Sequence, residues 1–171
     1  IEKISIPNEV TKICQYSFYN CQKLTKIECS NRSSLKLIEK FAIFNSSIER
    51  ISIPSSTQLN EGWCFKTPNL KNISISESDI EQISYYNNDF IIGKSDSKID
   101  FFDVLIFGRK DIQKVTIPKF IRRIASYAFD GCNQLKIIDF SKNSELVIIG
   151  KNSFSNTSIS TIFLPPHVEK I

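Results

Sequence analysis

Methionine is absent from this 171-residue chain, and histidine and tryptophan occur once each, as His167 and Trp63. A Ser–His–Asp or Cys–His arrangement would therefore have to use His167. That residue follows Pro165 and Pro166, where a solvated turn is the ordinary reading, and no catalytic residue is assigned. Only five glycines are present, so no Gly-rich phosphate loop can be built, and no calcium-loop spacing occurs. No apolar run reaches the roughly 20 residues that a membrane span needs, and no charged segment followed by an apolar one opens the chain. The missing initiator methionine leads us to expect a piece of a longer protein.

The five cysteines, Cys14, Cys21, Cys29, Cys64 and Cys132, are odd in number and contain no C-x-x-C pair. Neither a disulfide framework nor a zinc site follows from them, and no metal or cofactor is expected. Cys21, Cys29 and Cys132 read as small buried hydrophobes. Charge of either sign is also in short surplus: 22 basic and 18 acidic residues leave +4, too even a balance for a nucleic-acid face. A mild preference for polyanions stays open. Glu77/Asp79 and Asp100/Asp103 are paired carboxylates in polar, lysine-bearing stretches and read as solvated faces.

What the chain has in abundance is a repeated apolar pattern. Ile1, Ile4, Ile6, Val10, Ile13, Phe18, Cys21 and Leu24 recur as Ile112, Val115, Ile117, Ile121, Ile124, Phe129, Cys132 and Leu135, each 111 residues later. The offset continues without a gap, so that Leu35, Ile38 and Ile48 align with Leu146, Ile149 and Ile159. Residues 1–60 and 112–171 are thus two copies of one segment, each built from subunits of about 23 residues. The I-x-x-I-x-I spacing ends in the alternation of a short strand with Ile4 and Ile6 inward, and Pro7 and Pro118 close it, since proline has no N–H for a ladder. A subunit of this size cannot bury its own apolar face, so subunits must stack. One strand per subunit then yields a parallel sheet. The return path has room for a second short extended piece and one helical or 3₁₀ turn near Tyr16–Tyr19.

The pattern L-x-x-I-x-I-P-x-x-V-x-x-I-x-x-x-A/S-F-x-x-C-x-x-L resembles the BspA-like (treponema-type) leucine-rich repeat family. It is carried by Ile4, Ile6, Pro7, Val10, Ile13, Ser17, Phe18, Cys21 and Leu24, and by Ile117, Pro118, Ile121, Ile124, Ala128, Phe129, Cys132 and Leu135. The resemblance implies a β-rich leucine-rich-repeat solenoid, and cell-surface proteins of bacteria and parasitic protozoa that adhere to host cells, matrix or other microbes. We expect one solenoid domain over 1–171, with an irregular insertion at 87–111. Thr57 and Asn60 replace apolar residues in the third subunit, whose return side is expected to be looser or differently packed.

In the insertion, "DFIIGK" (89–94) and "DVLIFGR" (103–109) are β-prone runs parted by polar residues, and read as a hairpin-like interruption near 87–107. It is either a variant subunit without a role or a protruding recognition element. In the second case Tyr85, Tyr86, Phe101 and Phe102 are its contact aromatics. If Ile4 and Ile6 point inward, Lys3 and Ser5 point outward. Across subunits the first of these positions holds Lys3, Lys26, Arg50, Asn72 and Lys114. Lys3, Lys26 and Arg50 make a basic line, relieved either by neighbouring Glu2, Glu28 and Glu49 or by an anionic partner such as a sulfated glycan or an acidic protein surface. Four N-x-S/T sequons, at Asn31, Asn45, Asn72 and Asn156, are either chance in an Asn- and Ser-rich chain or glycan acceptors. The pattern begins and stops mid-subunit, which leads us to expect a longer parent or end-to-end self-association. The function expected is a non-catalytic binding or adhesion module; a structural spacer or an intracellular interaction scaffold is the alternative.

Overall fold

The computed structural model describes all residues, 1–171, and contains fourteen strands and no helix. The chain divides into two compact units, Ile1–Ser84 and Tyr85–Ile171.

In the first unit, β1 (Lys3–Ile6), β3 (Lys26–Cys29), β5 (Arg50–Pro54) and β7 (Asn72–Ser76) form a parallel sheet in that order. One face of each strand is apolar: Ile6, Ile27, Ile51, Ile53 and Ile73 are all buried. Burying each of these side chains contributes about 1.5–3 kcal/mol, and the alternation forces the intervening residues out to solvent. The return side carries β2 (Lys12–Ile13), β4 (Leu37–Ile38) and β6 (Gln58–Leu59), a three-stranded parallel sheet whose inward residues are Ile13, Ile38 and Leu59. The two sheets face each other across one apolar filling, with Leu24, Leu35, Ile48 and Leu70 fully or almost fully buried.

The corner where a helical or 3₁₀ turn was expected is instead a run of turns. Ser17 donates to the Cys14 carbonyl at 3.2 Å and Tyr19 to that of Tyr16 at 3.1 Å. No helix grows because two positions, four residues apart, hold left-handed backbone: Tyr16 (φ 61°) and Asn20 (φ 56°), repeated as Phe41 and Asn45, Gly62 and Lys66, Tyr127 and Gly131, Asn152 and Asn156. Between these points, alternate N–H groups donate to the next subunit, as Phe41 does to Gly62, Ile43 to Trp63 and Asn45 to Phe65. The turns therefore form a hydrogen-bonded ladder of their own, which satisfies the corner backbone that a helix would have satisfied internally.

Of the two expectations for the third subunit, looser or differently packed, the structure shows the second. Thr57 is fully buried because its hydroxyl donates to the Leu35 carbonyl at 3.0 Å, and Trp63 is 1% exposed. A polar residue is accepted at an apolar position when its single donor finds a buried acceptor.

The second unit differs in plan. β8 (Ile83–Tyr86) straddles the divide and leads through Asn87 and Asn88, both left-handed, into β9 (Phe90–Gly93). β9 runs antiparallel to β10 (Val104–Gly108), with a bulge between Leu105 and Phe107. β10 then pairs in parallel with β12 (Arg123–Ile124), which pairs with β14 (Ile148–Ile149). Every residue of β9 and β10 is buried. The two apolar runs thus form the antiparallel pair expected, but they do not protrude: they supply the return side of a repeat, and only the polar connection at 94–102 lies mostly in solvent. Two continuous apolar runs, lacking the alternation of a half-exposed strand, bury both faces. On the other side β11 (Lys114–Ile117) pairs only with β13 (Ile137–Phe140), in parallel. The outward column expected to run unbroken from Lys3 to Lys114 is consequently two columns, since β7 and β11 are not neighbours. Residues 161–164 form no strand and run directly into Pro165 and Pro166, which bring no N–H to a ladder.

Candidate functional site

The register of the first sheet aligns Lys3 with Lys26, Lys26 with Arg50, and Arg50 with Asn72. Neighbouring strands lie about 4.8 Å apart, so three cations stand in one exposed column. The relief comes from inside the sheet. Glu28 accepts the Lys3 ammonium at 2.6 Å through one carboxylate oxygen and the Lys26 ammonium through the other. The Lys26 and then the Lys3 ammonium hold the Glu28 carboxyl below its ordinary range. Arg50 has no acidic partner. It borders a hollow of about 520 Å³ on the same face, together with Lys26, Glu28, Ser52, Asn72 and Ser74.

One departure from strict strand pairing involves Ser52, a residue of that hollow. The Ser52 hydroxyl accepts the Cys29 N–H at 2.8 Å and donates to the Cys29 carbonyl at 3.2 Å, so a side chain replaces the ladder at that rung. Ser52 is therefore committed, while Ser74 stands exposed in register with it on β7. The sheet of the second unit carries a weaker charge pattern. Lys114 aligns with Ile137, and its ammonium is taken by Asp139 at 3.0 Å. Of the five column residues proposed from sequence, Lys3, Lys26, Arg50 and Asn72 are brought together, and Lys114 belongs to a separate sheet.

The aromatic residues of the insertion are placed differently from one another. Tyr86 stacks on Phe90 at 5.3 Å and meets Phe120 edge-on at 5.6 Å, which makes it a half-buried packing residue; Tyr85 is half-buried too. Phe101 is 51% exposed with the Arg122 guanidinium over its ring, and Phe102 is half-buried beneath Lys94. Phe101 and Phe102 do line one apolar groove with Ile92, Phe120, Arg122 and Glu145. Asp103, expected on a solvated face, is buried because its carboxylate accepts both the N–H and the hydroxyl of Ser95, at 2.8 and 2.7 Å. Glu77, Asp79 and Asp100 are exposed.

His167 is exposed and borders a groove with Asp139 and Asn143. No group of three or more His, Cys, Asp or Glu side chains is gathered in a way that could hold a metal ion. None of the five cysteines is in a disulfide. Cys64 and Cys132 are buried, Cys21 and Cys29 half-buried and Cys14 exposed. Burial pushes the Cys132 thiol up to about 11.

All four sequon asparagines are exposed, but Asn45 and Asn156 have a structural occupation. They hold the left-handed corner, and their amides donate to Asn20 at 3.1 Å and to Asp130 at 3.0 Å. Asn31 and Asn72 carry no such bond.

A feature that sequence reasoning missed is an aromatic ridge along the corner of the first unit. Tyr19, Phe44 and Phe65 form a column with centroids 5.5 and 5.3 Å apart and planes within 13°. Tyr16 and Phe41 stack beside it at 5.8 Å. The signal was available, since each of these aromatics occupies one of two positions of the corner, but it is visible only once the corner is known to stack in register.

The repeat geometry, with two short parallel strands per turn and a left-handed corner, is matched over residues 1–90 and 100–171 by six copies of the BspA type leucine rich repeat region. The chain belongs to the BspA type leucine-rich repeat family. Among solved structures, this BspA-type chain is similar to the pneumococcal vaccine antigen PcpA, with 25% identity and a TM-score of 0.84 over 99% of this chain and 40% of that one. It is also similar to a leucine-rich cell surface protein from Faecalibacterium prausnitzii, with 22% identity and a TM-score of 0.77 over 99% of this chain and 41% of that one. A leucine-rich repeat protein from Eubacterium ventriosum has 18% identity and a TM-score of 0.69, over 99% and 55% of the respective chains. The BspA-type chain thus spans about two-fifths to just over half the length of these proteins. No curated protein sequence matches it. No helix of the structure is long and apolar enough to cross a membrane.

Proposed function

We propose that this chain is a non-catalytic protein-binding module of a cell-surface protein, and that it docks partners on the exposed sheet of β1, β3, β5 and β7. One observation carries the reading: Lys3, Lys26 and Arg50 stand in register on an open face that holds a single carboxylate, Glu28. Stacked like charges cost stability, so a column that is only partly neutralised from within favours an acidic partner surface. Stacked-repeat proteins present extended faces of this kind for recognition. The surface location is supported by the likeness to a leucine-rich cell surface protein, and adhesion to host cells or matrix is the role we assign to it.

The test is binding of the 171-residue chain to cultured host cells and to matrix-coated surfaces, beside a Lys3→Glu/Lys26→Glu/Arg50→Glu variant. Saturable binding that the variant loses is the expected result. Equal binding by both forms would move the docking face elsewhere, and binding by neither would remove the adhesion role.

A further inference from the structure

The pairing of charges on that sheet singles out one residue. Glu28 holds both lysines of the column, one on each carboxylate oxygen. Arg50 is the member left without a counter-charge, and it borders the hollow that Asn72 and Ser74 also line. The Asn72 amide and the Ser74 hydroxyl take part in no side-chain hydrogen bond within the protein. Arg50 is also peculiar to the first copy of the repeat: the residue 111 positions on is Thr161.

We propose that Arg50 is the anchor for one carboxylate, an Asp or Glu side chain of the partner protein, with Asn72 and Ser74 as supplementary donors; the assignment rests on this sheet being the docking face. Charge complementarity selects the occupant. A sulfated polysaccharide is recognised by many uncommitted cations at once, because each neutralised anionic group adds to affinity. Here two of the three cations already share Glu28, which leaves one unpaired guanidinium. A planar guanidinium matches a single carboxylate with two parallel N–H bonds, a geometry an ammonium cannot supply. A neutral amide and a hydroxyl beside it add donors without adding charge, which suits one anionic group.

The experiment is a titration of the ¹⁵N-labelled chain with N-acetylglutamate amide, followed through the side-chain N–H signals of Arg50 and Asn72. N-acetylglutamine amide and a heparin-derived hexasaccharide are run in parallel. Arg32, exposed and without an acidic partner, is the internal reference for an ordinary surface guanidinium. We expect Arg50 and Asn72 to shift together and saturably, with an apparent Kd about tenfold or more below that at Arg32, and no response to the glutamine analogue. Arg50→Lys should lose about tenfold, as a point charge replaces a fork. Glu28→Gln, which frees two lysines, should change glutamate binding by less than about threefold. Equal behaviour at Arg50 and Arg32 would overturn the assignment. So would tight hexasaccharide binding that Glu28→Gln strengthens, because the face would then be a polyanion surface. Cell binding that is lost in the triple charge reversal but kept in Arg50→Gln would sink the anchor while leaving the docking face in place.

Discussion

Asn45 donates its side-chain amide to the side-chain oxygen of Asn20 at 3.1 Å, and both residues hold left-handed backbone, at φ 54° and 56°. Asparagine tolerates this conformation because its short amide can bond locally; a β-branched residue cannot adopt it without strain. Asn45→Gly is therefore expected to stay within about 0.5 kcal/mol of the parent, whereas Asn45→Val should lose about 1–2 kcal/mol. Urea unfolding with an unchanged slope checks both. A valine variant as stable as the parent would show that the corner does not depend on the conformation.

Two glycines of the second unit should separate steric from conformational demands. A Cβ on Gly108 would lie 2.2 Å from Cδ1 of Phe129, a fully buried ring, so Gly108→Ala must displace the core and should cost about 1–3 kcal/mol. Gly131 has φ 74° and open space around it, at the corner position held by Asn20, Asn45 and Asn156 in three other subunits. Gly131→Asn is expected to be nearly neutral, within about 0.5 kcal/mol. Thermal unfolding of the two variants side by side reads the contrast.

Thiol chemistry should follow burial. Cys14 is exposed and should react with a thiol reagent in the folded chain, while Cys64 and Cys132 should react only after unfolding. Because the Cys132 pKa is raised to about 11 from an ordinary 9.0, the folded chain keeps a proton that the unfolded chain releases between those values. Stability is then complete below about pH 9 and falls as pH rises toward 11. Cys132→Ala should flatten that decline, as measured by urea midpoints across the range. An identical decline in parent and variant would assign it to other groups.

Trp63 is the single tryptophan and is 1% exposed. Its emission should be blue-shifted and resistant to iodide in the folded state, and its red shift should report unfolding of the Ile1–Ser84 unit. Ready quenching in the native chain would contradict the packing of the third subunit around it.

Much of this architecture is legible in the sequence because stacking imposes one apolar code on every subunit. Ile6, Ile27 and Ile117 recur where a side chain must enter the shared core, and all three are buried. The column Lys3, Lys26, Arg50 and Asn72 was readable for the same reason, since alternation fixes what points outward once the inward residues are known. The insertion was readable only in part. "FIIG" and "VLIFG" announce strands, but whether they protrude or replace the return side of a repeat depends on what packs against them. Asp103 is the sharpest case: a carboxylate read as solvated is buried, because Ser95 of the connecting segment satisfies it with its N–H and hydroxyl.

By itself, then, the sequence determined the period, the strands and the residues facing in or out, because these follow from local alternation and from the need to bury a face too large for one subunit. Tertiary structure alone decided which charges are spent. That Glu28 takes both lysines and Arg50 keeps none depends on cross-strand distances of a few ångströms, and no linear spacing carries that information. It likewise decided that Tyr19, Phe44 and Phe65 become one column, because rings far apart in the chain meet only when the corners stack in register.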